Sequence, residues 1–154
     1  IEQVNVISIV RQVVVDFINL DISGKYPIEW LTDSNLNTVI INADKDLIKR
    51  AVSNLIQNSI NHNENGCTIY VAVKEEHGKV CKIVVSDNGV GATDEQIDKL
   101  NNSPHYMVCD ENTSEQRHGL GLLIVKQIAA DHKGTVEIGH SEYGGLEVKI
   151  CLPL

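Results

Sequence analysis

The sequence predicts an α/β (α+β) two-layer sandwich: a mixed, mostly antiparallel sheet with helices packed on one face. Three features predict it. Two pairs of alternating, β-branched runs are each joined by a tight glycine-containing turn, and strands joined this way must be antiparallel. Longer segments between them carry apolar residues at helical spacing. A length of 154 residues with 42% apolar content suits one domain with one packed core.

In chain order, residues 8–19 predict an amphipathic helix, with Val10, Val13, Val14 and Phe17 on one face. Residues 21–37 mix Gly24, Pro27 and polar side chains. They predict a connection holding a short strand at 28–32, and the β-branched run 38–42 predicts another strand. Asp44 is placed to cap a long helix running to about Asn61, with an apolar stripe of Ile48, Ala51, Val52, Leu55, Ile56 and Ile60. Residues 68–75 and 79–86 predict a hairpin across His77-Gly78. Thr93 and Gln96 have the spacing of a capping box opening a short helix. Residues 99–118 are polar, carry Pro104 and keep no steady period, which predicts a lid. Residues 119–132 predict a helix that begins at glycines and stops at Gly134. Residues 135–141 and 145–152 predict a last hairpin across Tyr143-Gly144-Gly145. The whole of 1–154 reads as a single domain.

The formal net charge of −8 argues against nucleic-acid binding, which needs clustered Lys and Arg. It leaves room for a small anion held by backbone N–H groups. No apolar run approaches ~20 residues, the length a membrane span requires. There is no signal-peptide pattern, and the opening at Ile1 within structured-looking sequence reads as a piece of a longer protein. Cys67, Cys81, Cys109 and Cys151 form no Cys-x-x-Cys pair and the histidines are scattered, so buried thiols are expected rather than a zinc site.

Three groups of residues carry chemistry. Asn54, Asn58 and Asn61 recur at i, i+4 and i+7 along the long helix, with His62 beside them. A row of amide oxygens suits a hard cation such as magnesium, although a solvated polar face would look the same. Asp87-Asn88-Gly89-Val90-Gly91 ends an apolar strand. A carboxylate there accepts hydrogen bonds and can read the amino group of adenine, while glycines let backbone approach a flat base; an ordinary Asp-Asn-Gly turn is the plainer alternative. His118-Gly119-Leu120-Gly121-Leu122 opens an apolar run, and glycines at a helix start expose N–H groups to phosphate. Each signal is weak alone. Their order, with a lid between the second and third, is specific.

In that order, Asn-Leu-Ile-Gln-Asn-Ser at 54–59, Asp-Asn-Gly-Val-Gly at 87–91 and Gly-Leu-Gly-Leu-Leu-Ile-Val-Lys-Gln-Ile at 119–128 resemble the N box and two glycine boxes of bacterial sensor histidine kinases. The resemblance covers nearly the whole chain. It implies the catalytic ATP-binding domain of such a kinase, with the Bergerat fold shared with gyrase B. It also implies ATP and Mg²⁺ as cofactors, a phosphoacceptor histidine in an upstream dimerisation domain, and a response regulator reached through the parent protein. The phosphoacceptor and sensor domains would lie outside this segment. The domain itself would be cytoplasmic, with any membrane anchor belonging to the parent.

Carried over by position, Asn58 would coordinate magnesium and Asn54 would support the phosphates. Asp87 would bind the adenine amino group, and Gly89 and Gly91 would line the base. Gly119, Leu120 and Gly121 would anchor the lid, with Arg117 as an extra phosphate contact. Hydrolytic relatives and the related serine kinases resemble one another in a Glu at the position of Asn54. An amide cannot act as a base, which favours phosphoryl transfer over hydrolysis. Asn61 stands where Lys or Arg is frequent, His62 where an aromatic residue or His is usual, Tyr106 near a typical Phe, His118 where Thr or Gly is usual, and Leu146 in place of a frequent Thr. These departures keep a second expectation in play, a catalytically weak nucleotide-sensing or docking module.

Overall fold

In a computed structural model the backbone is described for residues 1–102 and 113–154, and side chains for 1–102 and 121–154. The elements run β1 (Glu2–Asn5), α1 (Val6–Leu20), β2 (Ile28–Trp30), β3 (Ile40–Ala43), α2 (Lys45–His62), β4 (Ile69–Glu76), β5 (Val80–Asp87), α3 (Asp94–Asn102), α4 (Thr113–Asp131), β6 (Thr135–His140) and β7 (Leu146–Pro153). Five strands form a sheet in the order β2-β4-β5-β7-β6, with β2 parallel to β4 and the other neighbours antiparallel. β1 and β3 form a separate antiparallel pair. α1, α2 and α4 pack as a layer against the sheet's inner face. The fold is the two-layer sandwich that the sequence predicts.

Strand parity explains where the site lies. Along β5 the side chains of Cys81, Ile83 and Val85 face the helices, and the same period puts Asp87 on that face. In β7, Val148, Ile150 and Leu152 share this layer. Opposite them α2 contributes Ile48, Ala51, Val52, Leu55 and Ile56, and the stripe then continues into Asn58 and Ser59, which are also buried. One end of the core therefore turns from hydrocarbon to polar groups between α2 and the sheet.

Local signals set the helix ends. Asp44 caps α2, its Oδ1 accepting from Asp46 N at 3.0 Å and Leu47 N at 3.2 Å. Asp44→Ala should cost about 1 kcal/mol and lower the melting temperature by roughly 2–4 °C in thermal denaturation. Thr93 and Gln96 form the reciprocal capping box, with Gln96 N to Thr93 Oγ1 at 3.1 Å and Thr93 N to Gln96 Oε1 at 2.9 Å.

Some boundaries differ from the sequence reading. β1 has no counterpart in it. α1 begins two residues earlier than residue 8, at Val6, where Asn5 caps it. α4 begins at Thr113 rather than at Gly119, because the Glu115-Gln116-Arg117 run propagates helix well. Gly119, Leu120 and Gly121 thus fall inside the helix, after its free N–H groups. Of the segment 99–118 expected as a lid, α3 includes residues 99–102 and α4 includes 113–118, and 103–112 lie outside the described residues. Pro104, His105, Tyr106 and Cys109 lie outside the described residues. At the other end of α4, Gly134 N donates to Ala129 O at 2.7 Å and Lys133 N to Ala130 O at 3.0 Å, a Schellman closure. The left-handed residue is Lys133 (φ 61°), not Gly134. Gly134 serves another need: a Cβ there would lie 2.2 Å from Cys151 O.

Candidate functional site

A narrow cleft of about 10 Å³ lies between α2 and the sheet. Leu55, Asn58, Ser59 and His62 line it from α2, Val85 and Asp87 from β5, and Leu146 and Val148 from β7.

Asp87 forms its floor and is only 1% exposed. Its Oδ1 accepts from Gly89 N at 3.0 Å and from Leu146 N at 3.2 Å. Gly145 N donates to Asp87 O at 3.1 Å, so the β6–β7 turn sits directly on this residue. Gly145 has no room for a side chain, since a Cβ would lie 1.9 Å from Asp87 Oδ1. A buried carboxylate held by backbone N–H groups on one oxygen is a fixed acceptor, suited to reading a donor on a ligand.

The loop after Asp87 is braced on several sides. Asn88 Oδ1 accepts from Thr68 N at 2.8 Å, and Asn88 N donates to Thr68 O at 3.2 Å. His62 Nε2 lies 2.8 Å from Gly91 O. A carbonyl only accepts, so this ring carries a proton on Nε2. Gly91 adopts φ +67°, where a side chain would be strained. Cys67 packs below, its thiol pushed up to about 11 by burial and then by the charge of Asp87, so it is an uncharged filler at neutral pH. Burial likewise pushes Cys81 up to about 12, deep in the core.

Asn58 is 5% exposed and faces the cleft. A Cβ on Gly121 would lie 2.5 Å from Asn58 Oδ1, so the bare glycine leaves the carboxamide its space. Among the described residues the Nδ2 atoms of Asn54 and Asn58 are buried without a hydrogen-bond partner. Such orphans are uncommon in folded proteins and point to an acceptor supplied from elsewhere.

Of the residues singled out in the sequence, the structure gathers Asn58, His62 and Asp87 around the cleft, with Gly89, Gly91 and Gly121 against them. Asn54 lies one turn earlier on α2. Asn61 turns to Gln57 instead, its Oδ1 accepting from Gln57 Nε2 at 3.0 Å. The side chains of Arg117, His118 and Leu120, and the surroundings of Gly119, lie outside the described residues. Asn63 is a residue that sequence reasoning passed over. It is buried at the end of α2, and its Oδ1 accepts from Val90 N at 2.8 Å. The only sequence signal was an Asn at a helix end.

A two-layer α/β sandwich with a polar cleft at one end of its core is the class this fold and site define. The family of Histidine kinase-, DNA gyrase B-, and HSP90-like ATPases matches residues 43–154, and the chain belongs to it. Sporulation kinase B of Bacillus subtilis is 35% identical over 115 residues, 75% of this chain and 26% of that protein. Signal transduction histidine-protein kinase BaeS of Escherichia coli is 25% identical over 118 residues, 77% of this chain and 25% of that protein. The chain thus spans about a quarter of the length of these relatives. The catalytic domain of histidine kinase ThkA, in a nucleotide-free form, has the same fold: TM-score 0.79 at 22% identity, covering 98% of this chain and 93% of that one. Among the described residues no helix is long and apolar enough to cross a membrane.

Proposed function

We propose that this chain binds Mg-ATP as the catalytic domain of a two-component sensor histidine kinase, and that it presents the γ-phosphate to a histidine on a separate dimerisation domain of its parent protein. A response regulator would receive the phosphoryl group afterwards. The observation that carries the reading is the meeting, in one cleft, of the buried acceptor Asp87 with the partnerless carboxamide of Asn58.

Each residue has a role that its chemistry fits. Asp87 Oδ1 is taken by two backbone N–H groups, which leaves Oδ2 to accept from the adenine amino group. Gly89 and Gly91 keep the loop flat beside the base. Asn58 offers a neutral oxygen of the kind magnesium takes, and its N–H groups need an acceptor such as a phosphate oxygen. Asn54 offers the same donors one turn away. Arg117, Gly119, Leu120 and Gly121 would follow the phosphates on the lid side. When bound, magnesium neutralises phosphate charge and ATP supplies the phosphoryl group. Asn54 stands where a base would have to be, and an amide cannot take a proton from water.

Two measurements test this. Asn58→Ala should bind ATP equally with and without magnesium while keeping its melting temperature, whereas the unaltered chain binds more tightly with the metal. Incubated with γ-labelled ATP, the isolated chain should bind nucleotide without labelling itself. Stoichiometric self-labelling, or multiple turnovers of phosphate release, would overturn the reading. Absence of binding up to millimolar ATP would instead make it a docking module.

A further inference from the structure

Asn63 occupies the C-cap of α2 and is 3% exposed. Both ends of its carboxamide are used: Nδ2 donates to Ser59 O at 2.8 Å and Oδ1 accepts from Val90 N at 2.8 Å. The side chain therefore cannot turn without breaking one bond. The loop rests on it, since a Cβ on Gly89 would lie 1.9 Å from Asn63 Oδ1. Gly89 N donates in turn to Asp87 Oδ1. From behind, the Tyr26 hydroxyl donates to Asn63 O at 2.7 Å, tying the cap to the α1–β2 connection.

We infer that Asn63 is a positioning residue for base recognition, its carboxamide fixing the height of Gly89 and Val90 and thereby the aim of the Asp87 carboxylate. The inference rests on the nucleotide-binding reading above. It gives the helix that carries Asn58 a second role, in which one part meets the phosphates and the C-terminal end sets the loop that reads the base. Asn63→Ala removes both bonds and leaves the loop without its inner support. The Asp87 carboxyl then loses its fixed direction.

The test compares ATP with inosine triphosphate, in which a carbonyl replaces the adenine amino group. For folded Asn63→Ala, ATP binding should weaken by roughly 10- to 100-fold, with the preference for ATP over inosine triphosphate largely lost. The gain in affinity from magnesium, which reports on Asn58, should stay as in the unaltered chain. Tyr26→Phe, which keeps the ring and loses the tether, should shift the preference in the same direction by less. It serves alone should Asn63→Ala fail to fold. Asn101 provides the structural control. It donates to Ile138 O at 2.9 Å and accepts from Ile138 N at 3.0 Å on the edge strand. Asn101→Ala should lower the melting temperature and leave base preference intact. Unchanged preference in the Asn63 and Tyr26 variants, with the unaltered chain preferring ATP, overturns the inference alone. An unaltered chain that binds no ATP overturns the nucleotide reading with it.

Discussion

Asp87→Asn should reverse base preference, with ATP binding falling by about 100-fold while inosine triphosphate binds as well as before or better. The amide oxygen can still accept from Gly89 N and Leu146 N, which hold Oδ1 at 3.0 and 3.2 Å in the native protein. The fold is thereby kept. What changes is the second oxygen, which becomes an NH₂ group and confronts the adenine amino group donor to donor. Facing a carbonyl at the same position of inosine, it gains a partner. Parallel titrations of the two nucleotides, with melting curves to confirm folding, read the outcome. An equal loss for both would mean that Asp87 supports the cleft without reading the base.

The second large effect is at Gly145. A Cβ there would lie 1.9 Å from Asp87 Oδ1, 2.5 Å from Asp87 O and 2.7 Å from Gly89 N. The carboxylate could rotate away, but the other two atoms are backbone. The β6–β7 turn must lift off the end of β5, breaking the Gly145 N to Asp87 O bond. Gly145→Ala should cost about 1–3 kcal/mol or more, lower the melting temperature by roughly 3–10 °C, and remove nucleotide binding even at temperatures where the protein stays folded. Gly139→Ala on the neighbouring strand is the control, since a Cβ there meets nothing within 4 Å. A Gly145→Ala protein with native affinity would show that the turn does not set the carboxylate.

The parts of the fold legible in sequence are those governed by neighbours in the chain. Asp44 caps α2 because the free N–H groups it satisfies are two and three residues away. The His77-Gly78 turn follows from two residues that both adopt positive φ, and it sets the β4–β5 register. That register puts Asp87 on the inner face. Other features depend on distant partners. β1 is four residues long and exists through pairing with β3, Glu2 lying opposite Ala43. Asn63 looks like an ordinary helix end until Val90, 27 residues on, is folded against it. Gly134 looks like a helix stop, yet Lys133 takes the left-handed conformation and Gly134 answers to Cys151 across the sheet. The row of Asn54, Asn58 and Asn61 separates for a similar reason. Sequence spacing places them on one side of α2, but only packing against the sheet decides that Asn58 faces the cleft and Asn61 turns to Gln57.

On the proposed function, the cleft between α2 and the sheet would hold an adenine nucleotide with its metal at Asn58 and its base at Asp87. Calorimetric titration of the unaltered chain with ATP and with inosine triphosphate, each with and without magnesium, tests it most directly. One-to-one binding of ATP, tightened by magnesium and clearly stronger than that of inosine triphosphate, is the predicted result. Binding that ignores both the metal and the base, or no binding at millimolar nucleotide, would contradict it.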